Sequence, residues 1–297
     1  MTKSLLFLLA FMLLKPAIQA QPTLLREHIK QILKNKDAKV GVGILCLEDG
    51  DTLTFNGSGH FPMQSVYKFH LALAVMDKVQ KKELSLDQRI PINKSDLLPN
   101  TWSPIRELYP EANVSLPLRE ILNYTVSQSD NNGCDILFRL LGGPAYVNSF
   151  MEQAGIKGVS IRATEEEMHK DWDVQYTNWS TPWAAVQLLE KFYRKEILYP
   201  PLYDTLWQMM CRTTNGPGRI KGLLPDGTIV AHKTGSSGTN AEGFTAATND
   251  IGIMSLPNGK HLAIAVFVSD SKENSKTNEK IIAEISLDVW KAFAGNK

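Results

Sequence analysis

The chain has 297 residues, is 43% hydrophobic and 21% charged, and carries a formal net charge of +1, the balance of a globular protein that buries one large core or two modest ones. Its Lys and Arg are scattered and not gathered in blocks, so nothing marks a surface for nucleic acid or an anionic membrane. The expected partner is a small molecule, bound by a monomer.

Residues 1–20, MTKSLLFLLAFMLLKPAIQA, put Lys3 ahead of an apolar run and end in small residues at Ala17 and Ala20, the layout of a secretory signal peptide cleaved after Ala20. The run from Leu5 to Leu14 is too short to cross a bilayer, and Lys15 interrupts it. No later segment is long and apolar enough to span a membrane, and no Cys follows as a lipid attachment point. The expectation is export to the periplasm.

TLLREHIKQILKNK then reads as an amphipathic helix, and VGVGILCLEDGDTLTFNGS as two strand-like runs around EDGD. Residues 63–80, MQSVYKFHLALAVMDKVQ, repeat Leu71, Val75, Met76 and Val79 at helical spacing, with Ser65 and Lys68 three apart on one face of the first turn. Helical periods continue to about residue 212 through LPLREILNYTVSQSDNNGCDILFRLLGG, AYVNSFMEQAG and TPWAAVQLLEKFYRKEI. Strand patterns return in TIVAHKTGSSG, EGFTAATNDIGIMSLPNG and LAIAVFVSDS, before a closing amphipathic helix over 278–293. The economical arrangement is an α/β domain built from residues 21–62 and 213–297, with an all-α domain, residues 63–212, inserted between. Their junction is a natural cleft.

Cys46, Cys134 and Cys211 lie far apart with no CxxC pair, which excludes a zinc ribbon. Cys46 and Cys134 sit in apolar segments, where buried free thiols are the plain reading, while one disulfide stays open for an exported chain. None of the six histidines falls in an HxH or HExxH pattern, so no metal and no cofactor is implied. His60, His70 and His232 read as packing or solvent-facing residues.

A serine hydroxyl needs a base before it is a useful nucleophile. Ser65 begins a helix, where free N–H groups and the helix dipole favour negative charge, and Lys68 one turn later can point its amine at Oγ and accept the proton if its pKa is lowered. Alone, SxxK also describes a capping serine with a lysine that reaches solvent. Ser129-Asp130-Asn131, at a helix boundary, offers a second hydroxyl for proton relay and an amide to hold a carbonyl or the lysine, or else an ordinary helix cap. Lys233-Thr234-Gly235 ends a strand, where a cation and hydroxyl can grip a carboxylate and Gly235 permits close approach.

The order and spacing of SxxK, SDN and KTG match the set of the penicillin-recognising serine enzymes. Over essentially its whole mature length the chain resembles the class A serine β-lactamases, and within them the PER/VEB-like extended-spectrum subgroup. That resemblance implies an α/β fold of the β-lactamase/transpeptidase type: an antiparallel sheet flanked by helices, with the inserted helical domain. It also implies hydrolysis of the β-lactam amide of penicillins and cephalosporins through an acyl-serine, conferring antibiotic resistance. Ser65 would be the acylated nucleophile, Lys68 its activator, Ser129 the proton relay to the leaving nitrogen and Asn131 a contact to the substrate amide. Lys233 and Thr234 would hold the substrate carboxylate, beside Gly235, and the backbone N–H groups of Ser65 and Ser236 would form the oxyanion hole.

Water activation needs a further base, and RATEEEMHKDWDVQYTNW supplies three consecutive glutamates. The family pattern is Glu-x-x-Leu-Asn, and only Glu165 sets an apolar residue, Met168, and a polar one, His169, at the right offsets. Glu166 and Glu167 read as solvated loop charges. The loop departs from the family at His169, where Asn is usual, so the water would be held by the imidazole, by backbone or by a slightly moved glutamate; it departs again at Ala163 and Asn178, which removes the usual stapling salt bridge, and Asp135 stands where Asn is expected, its carboxylate able to tie the loop from another side. Trp102 matches the family's aromatic residue at the cleft entrance, unless it simply fills a core. Arg219 resembles the alternative arginine that supplements carboxylate binding, unless it is a surface residue. Two rival readings keep the first three motifs: a penicillin-binding DD-peptidase, which lacks a water-activating glutamate, and a non-catalytic β-lactam sensor, which retains its acyl group.

Overall fold

The structure is a computed structural model describing residues 16–295; residues 1–15, most of the predicted signal segment, lie outside the described residues. Helix α1 (Pro16–Leu33) leads into the hairpin β1 (Lys39–Cys46) and β2 (Thr52–Phe55), and the short strand β3 (Phe61–Pro62) precedes α2 (Tyr67–Gln80). Next come β4 (Arg89–Ile92), α3 (Pro104–Leu108), β5 (Val114–Pro117), α4 (Leu118–Ser127), α5 (Asn131–Leu141) and α6 (Pro144–Gln153). They are followed by β6 (Val159–Ser160), α7 (Glu165–Lys170), β7 (Trp179–Ser180), α8 (Pro182–Tyr193) and α9 (Leu202–Cys211). The chain closes with β8 (Val230–Ser236), β9 (Thr245–Ser255), β10 (His261–Ser271) and α10 (Ser275–Ala294).

The two ends of the chain build one five-stranded antiparallel sheet in the order β2-β1-β10-β9-β8. Strand β10 runs down its middle and is apolar on both faces because successive side chains point to opposite sides. Leu262, Ile264, Val266 and Val268 join Leu25 and Ile29 of α1 and Ile281, Ile285 and Val289 of α10 in one core. Ala263, Ala265 and Phe267 join the other core, with α2, α8 and the helices of the middle segment. β8 is an edge strand, so its outer side is free to face the start of α2.

From Tyr67 to Asp77 every residue of α2 is buried, which makes it the central post of the helical region and not a half-solvated helix. The predicted start at residue 63 is replaced by a 3-10 turn over Gln64–Val66, and neither that turn nor α2 carries a side-chain cap. The middle segment is not purely helical: β4 pairs with β5, and β7 lies between β3 and β6. Strands of two to four residues show too little alternation to register as a pattern. At the N-terminus α1 starts at Pro16 and runs past Ala20, because residues 17–21, AIQAQ, are compatible with helix. All three cysteines are free, with Cys46 and Cys134 buried. No helix among the described residues is long and apolar enough to cross a membrane.

Candidate active site

Helix α2 delivers Lys68 into the interior with no exposed surface. A charge there is costly unless all its donors are met, and the three ammonium hydrogens have three acceptors: Ser65 Oγ at 2.9 Å, the Ser129 carbonyl at 2.9 Å and Asn131 Oδ1 at 2.5 Å. Glu165 Oε1 lies 2.9 Å from the same nitrogen but outside hydrogen-bond geometry. With the three protons committed elsewhere, that contact is an attraction of charges. Ser65 is therefore not a helix cap and Lys68 does not reach solvent; the two face each other where the 3-10 turn runs into α2.

Asp130 caps α5, accepting from Gly133 N at 2.8 Å, and also accepts from Ile105 N and the Ser103 hydroxyl. Burial raises its pKa against these hydrogen bonds. The cap reading of the SDN triplet thus holds for its middle residue, and capping is what aims Ser129 and Asn131 to either side. Ser129 takes the left-handed conformation, φ 59°, as does Gln64 beside Ser65, φ 48°. Non-glycine residues enter that region at a cost and cluster at functional sites. Gln64 is held by a 2.6 Å hydrogen bond to Gln175, a long-range contact that no local motif announces.

Along β8, Lys233 is fully buried and donates to Ser129 Oγ at 3.0 Å and to the Thr234 carbonyl at 2.9 Å. Desolvation, then the nearby Lys68 charge, hold its pKa well below the usual lysine range. A Cβ on Gly235 would meet the Met63 carbonyl at 2.3 Å, so this glycine lets the strand lie against the turn carrying Ser65. Asn249 on β9 braces that turn by donating to the carbonyls of Pro62 and Met63. Arg219 is buried, not on the surface. Four of its five N–H groups are used, on Glu279, the Gly235 and Asn249 carbonyls and, at 2.7 Å, Ser236 Oγ. Thr234 is buried and Ser236 exposed at the strand's end. Trp102 is 53% exposed, with its indole N–H on the Gln128 carbonyl and its own carbonyl accepting from Asn131 N, so it is not a core residue.

The glutamate run forms the six-residue helix α7. Glu165 is 4% exposed and turned inward, while Glu166 pairs with Lys170 on the outside. Glu167 is not a free loop charge: with Thr164 it makes a reciprocal capping box, Glu167 N on Thr164 Oγ1 and Thr164 N on Glu167 Oε2. The T-x-x-E spacing is a signal for this in the sequence. Asp135 ties the loop to α5: Oδ1 accepts from Glu165 N at 2.8 Å and Oδ2 from Glu166 N at 2.9 Å. Burial and the Glu165 charge push its pKa up to about 7 against those two hydrogen bonds. Where the usual salt bridge is absent, Asn178 Oδ1 accepts from the amides of Arg162 and Ala163, and its Nδ2 donates to the Ala163 carbonyl. His169 places Nδ1 2.7 Å from the Glu165 carbonyl and Nε2 3.4 Å from Thr101 Oγ1, which accepts from Asn131 Nδ2 at 2.6 Å.

The profile of the "Beta-lactamase enzyme family" matches residues 24–293. The chain is 49% identical to β-lactamase VEB-1 of Pseudomonas aeruginosa, with 92% of each chain covered. It is 46% identical to the extended-spectrum β-lactamase PER-1 of the same organism, covering 91% of this chain and 88% of that one. The crystal structure of TLA-1 extended-spectrum β-lactamase superposes with a TM-score of 0.91 at 60% identity, covering 92% of this chain and 99% of that one. Sequence and fold agree over nearly the whole molecule: the chain belongs to the β-lactamase family and has the class A fold.

Proposed function

We propose that this protein hydrolyses the lactam amide of penicillins and cephalosporins through an acyl-enzyme on Ser65, with extended-spectrum breadth, and thereby confers resistance. The observation that carries this reading is the position of Lys68 Nζ, 2.9 Å from both Ser65 Oγ and Glu165 Oε1. In acylation a rotation of the ammonium passes one proton to Glu165. The freed amine takes the Ser65 proton as Oγ bonds to the lactam carbon, and the Ser65 and Ser236 amides hold the oxyanion. The C–N bond then breaks, Ser129 hands its proton to the nitrogen and is resupplied from Lys68, and Glu165 returns its proton to Lys68. Lys233, Thr234 and Ser236 bind the substrate carboxylate, with Arg219 fixing Ser236, while Asn131 and Trp102 meet the substrate side chain. Deacylation uses Glu165 to take a proton from water as its oxygen attacks the ester, and the departing Ser65 oxygen recovers that proton.

Export rests on residues 1–20, with cleavage after Ala20 and a monomeric periplasmic product that binds no nucleic acid. Mixing the purified protein with a chromogenic cephalosporin tests the activity: sustained turnover is the expected result. A single stoichiometric burst without turnover would instead mark a DD-peptidase or a sensor.

A further inference from the structure

Burying several cations around one site is costly unless anions stand near them, and two of the three buried here have a carboxylate within reach. Lys68 lies 2.9 Å from Glu165, and Arg219 lies 3.2 Å from Glu279. Lys233 differs. With no exposed surface, it donates among the described residues only to neutral oxygens, the Ser129 hydroxyl and the Thr234 carbonyl. One buried carboxylate nearby is likewise without a lysine or arginine: Asp250, which pairs with Thr234 in the β8–β9 register. It lies on the sheet face where its in-phase neighbours Val230 and Met254 pack with Ile220 and α10. Asp250 accepts from Ile220 N at 3.2 Å, and its two oxygens lie 3.0 and 2.9 Å from His232 Nδ1. His232 Nε2 is buried with no hydrogen-bond partner, so a second ring proton would be stranded there. The imidazole is therefore neutral, with its one proton on Nδ1, and the Asp250 charge is directed without being cancelled. We infer that Asp250, aimed by His232, is the counter-anion that keeps Lys233 an ammonium able to grip the substrate carboxylate.

The inference deepens the proposed acyl-enzyme reading and rests on it. Four charged groups act on Lys233 from the elements around it: Lys68 from α2, Glu165 from α7, Arg219 from the turn before Ile220, and Asp250 from β9. Burial, then Lys68, drive its pKa down, and Arg219 adds to them, while Asp250 is the stronger of the two groups that raise it, ahead of Glu165. Asp130, beside Ser129, is already met by the Ser103 hydroxyl and the amides of Ile105 and Gly133. Glu165 is engaged by Lys68 and exchanges protons during the proposed reaction, so its charge is not constant through the cycle. Asp250 takes no proton and touches no substrate. Its charge acts across a single strand, through a medium that screens far less than water. The same carboxylate holds the turn after Arg219, whose guanidinium donates to the Gly235 carbonyl and the Ser236 hydroxyl. Asp250 is thus a positioning residue, one step behind the groups that meet the substrate.

Rapid-quench mass spectrometry with a penicillin, run from pH 6 to pH 10, gives the half-saturating concentration and the maximal rate of Ser65 acylation separately. Loss of the Lys233 charge weakens binding of the substrate carboxylate, so the pH at which half-saturation begins to climb marks its titration. In Asp250→Asn that pH is expected to fall by about one pH unit or more, while the maximal acylation rate at pH 6 stays within about threefold of wild type. A residue with only a structural role would not move that limb. His232→Gln leaves the carboxylate in place, and its alkaline limb is expected to stay within about 0.3 pH units of wild type; this variant remains informative if the first fails to fold. An unshifted limb in folded Asp250→Asn overturns the inference. So does an upward displacement of about one pH unit in His232→Gln, since a charged imidazole would then have been cancelling Asp250. Absence of any Ser65 adduct in the unmodified protein would strike the proposed function itself, a separate outcome.

Discussion

A fully buried lysine is tolerated because each ammonium hydrogen has an acceptor, and Lys68 meets that condition with one acceptor from α2's own approach and two from the α4–α5 junction. The same accounting applies to Asp135, both of whose oxygens face backbone N–H donors. An asparagine there would turn an amide NH2 toward one of them, so Asp135→Asn is expected to cost about 1–3 kcal/mol. A second signature is pH. With its folded pKa raised to about 7 from an unfolded value of about 4, this carboxyl binds more protons in the fold, so its contribution favours folding at acid pH and declines as pH rises from about 4 to about 7. Denaturant melts at pH 5 and pH 8 check this: the variant loses that component of the slope, and an unchanged pH dependence would contradict it. Ser65, Lys68, Ser129, Asn131 and Lys233 were legible because each sits in a short motif with fixed spacing. Gln64, Gln175, Asn249 and the positive φ of Ser129 were not, since their roles exist only when segments 50 or more residues apart meet.

Among elements, β8 and the turn before α2 matter most, because the gap between them is closed to the width of a glycine. Gly235→Ala would drive a methyl into the Met63 carbonyl, and overpacking of this kind costs about 1–3 kcal/mol. The expected outcome is a folded protein, by circular dichroism, whose acylation by penicillin slows at least tenfold as the Ser65 turn or β8 shifts; unaltered acylation would show that the contact is slack. The long strands β8, β9 and β10 were readable as extended runs buried on both faces, and helix α10 from its helical period. Short elements were not. The β4–β5 ribbon, strands β3, β6 and β7 and the six-residue α7 owe their form to partners elsewhere in the chain, and the glutamate run showed its capping box only through the Thr164–Glu167 spacing.

At the scale of the molecule, both ends of the chain form one sheet and the intervening residues supply the helices that stand against it. The site draws Ser65 and Lys68 from α2 and its preceding turn, Ser129 and Asn131 from the α4–α5 junction, Glu165 from α7 and Lys233 from β8. The first three come from the helical middle and the last from the terminal sheet, the seam at which we place substrate entry. The division into sheet and helical segments was visible in the alternation of periods along the sequence, whereas the depth at which Lys68 and Glu165 meet was not. The account depends on Glu165 being the base for the second half of the reaction, and intact-mass spectrometry of Glu165→Gln with a penicillin addresses that directly. The account predicts a one-to-one adduct mapped to Ser65 that outlives the wild-type intermediate by about 100-fold or more; turnover at the wild-type rate, or an adduct on any other residue, would contradict it.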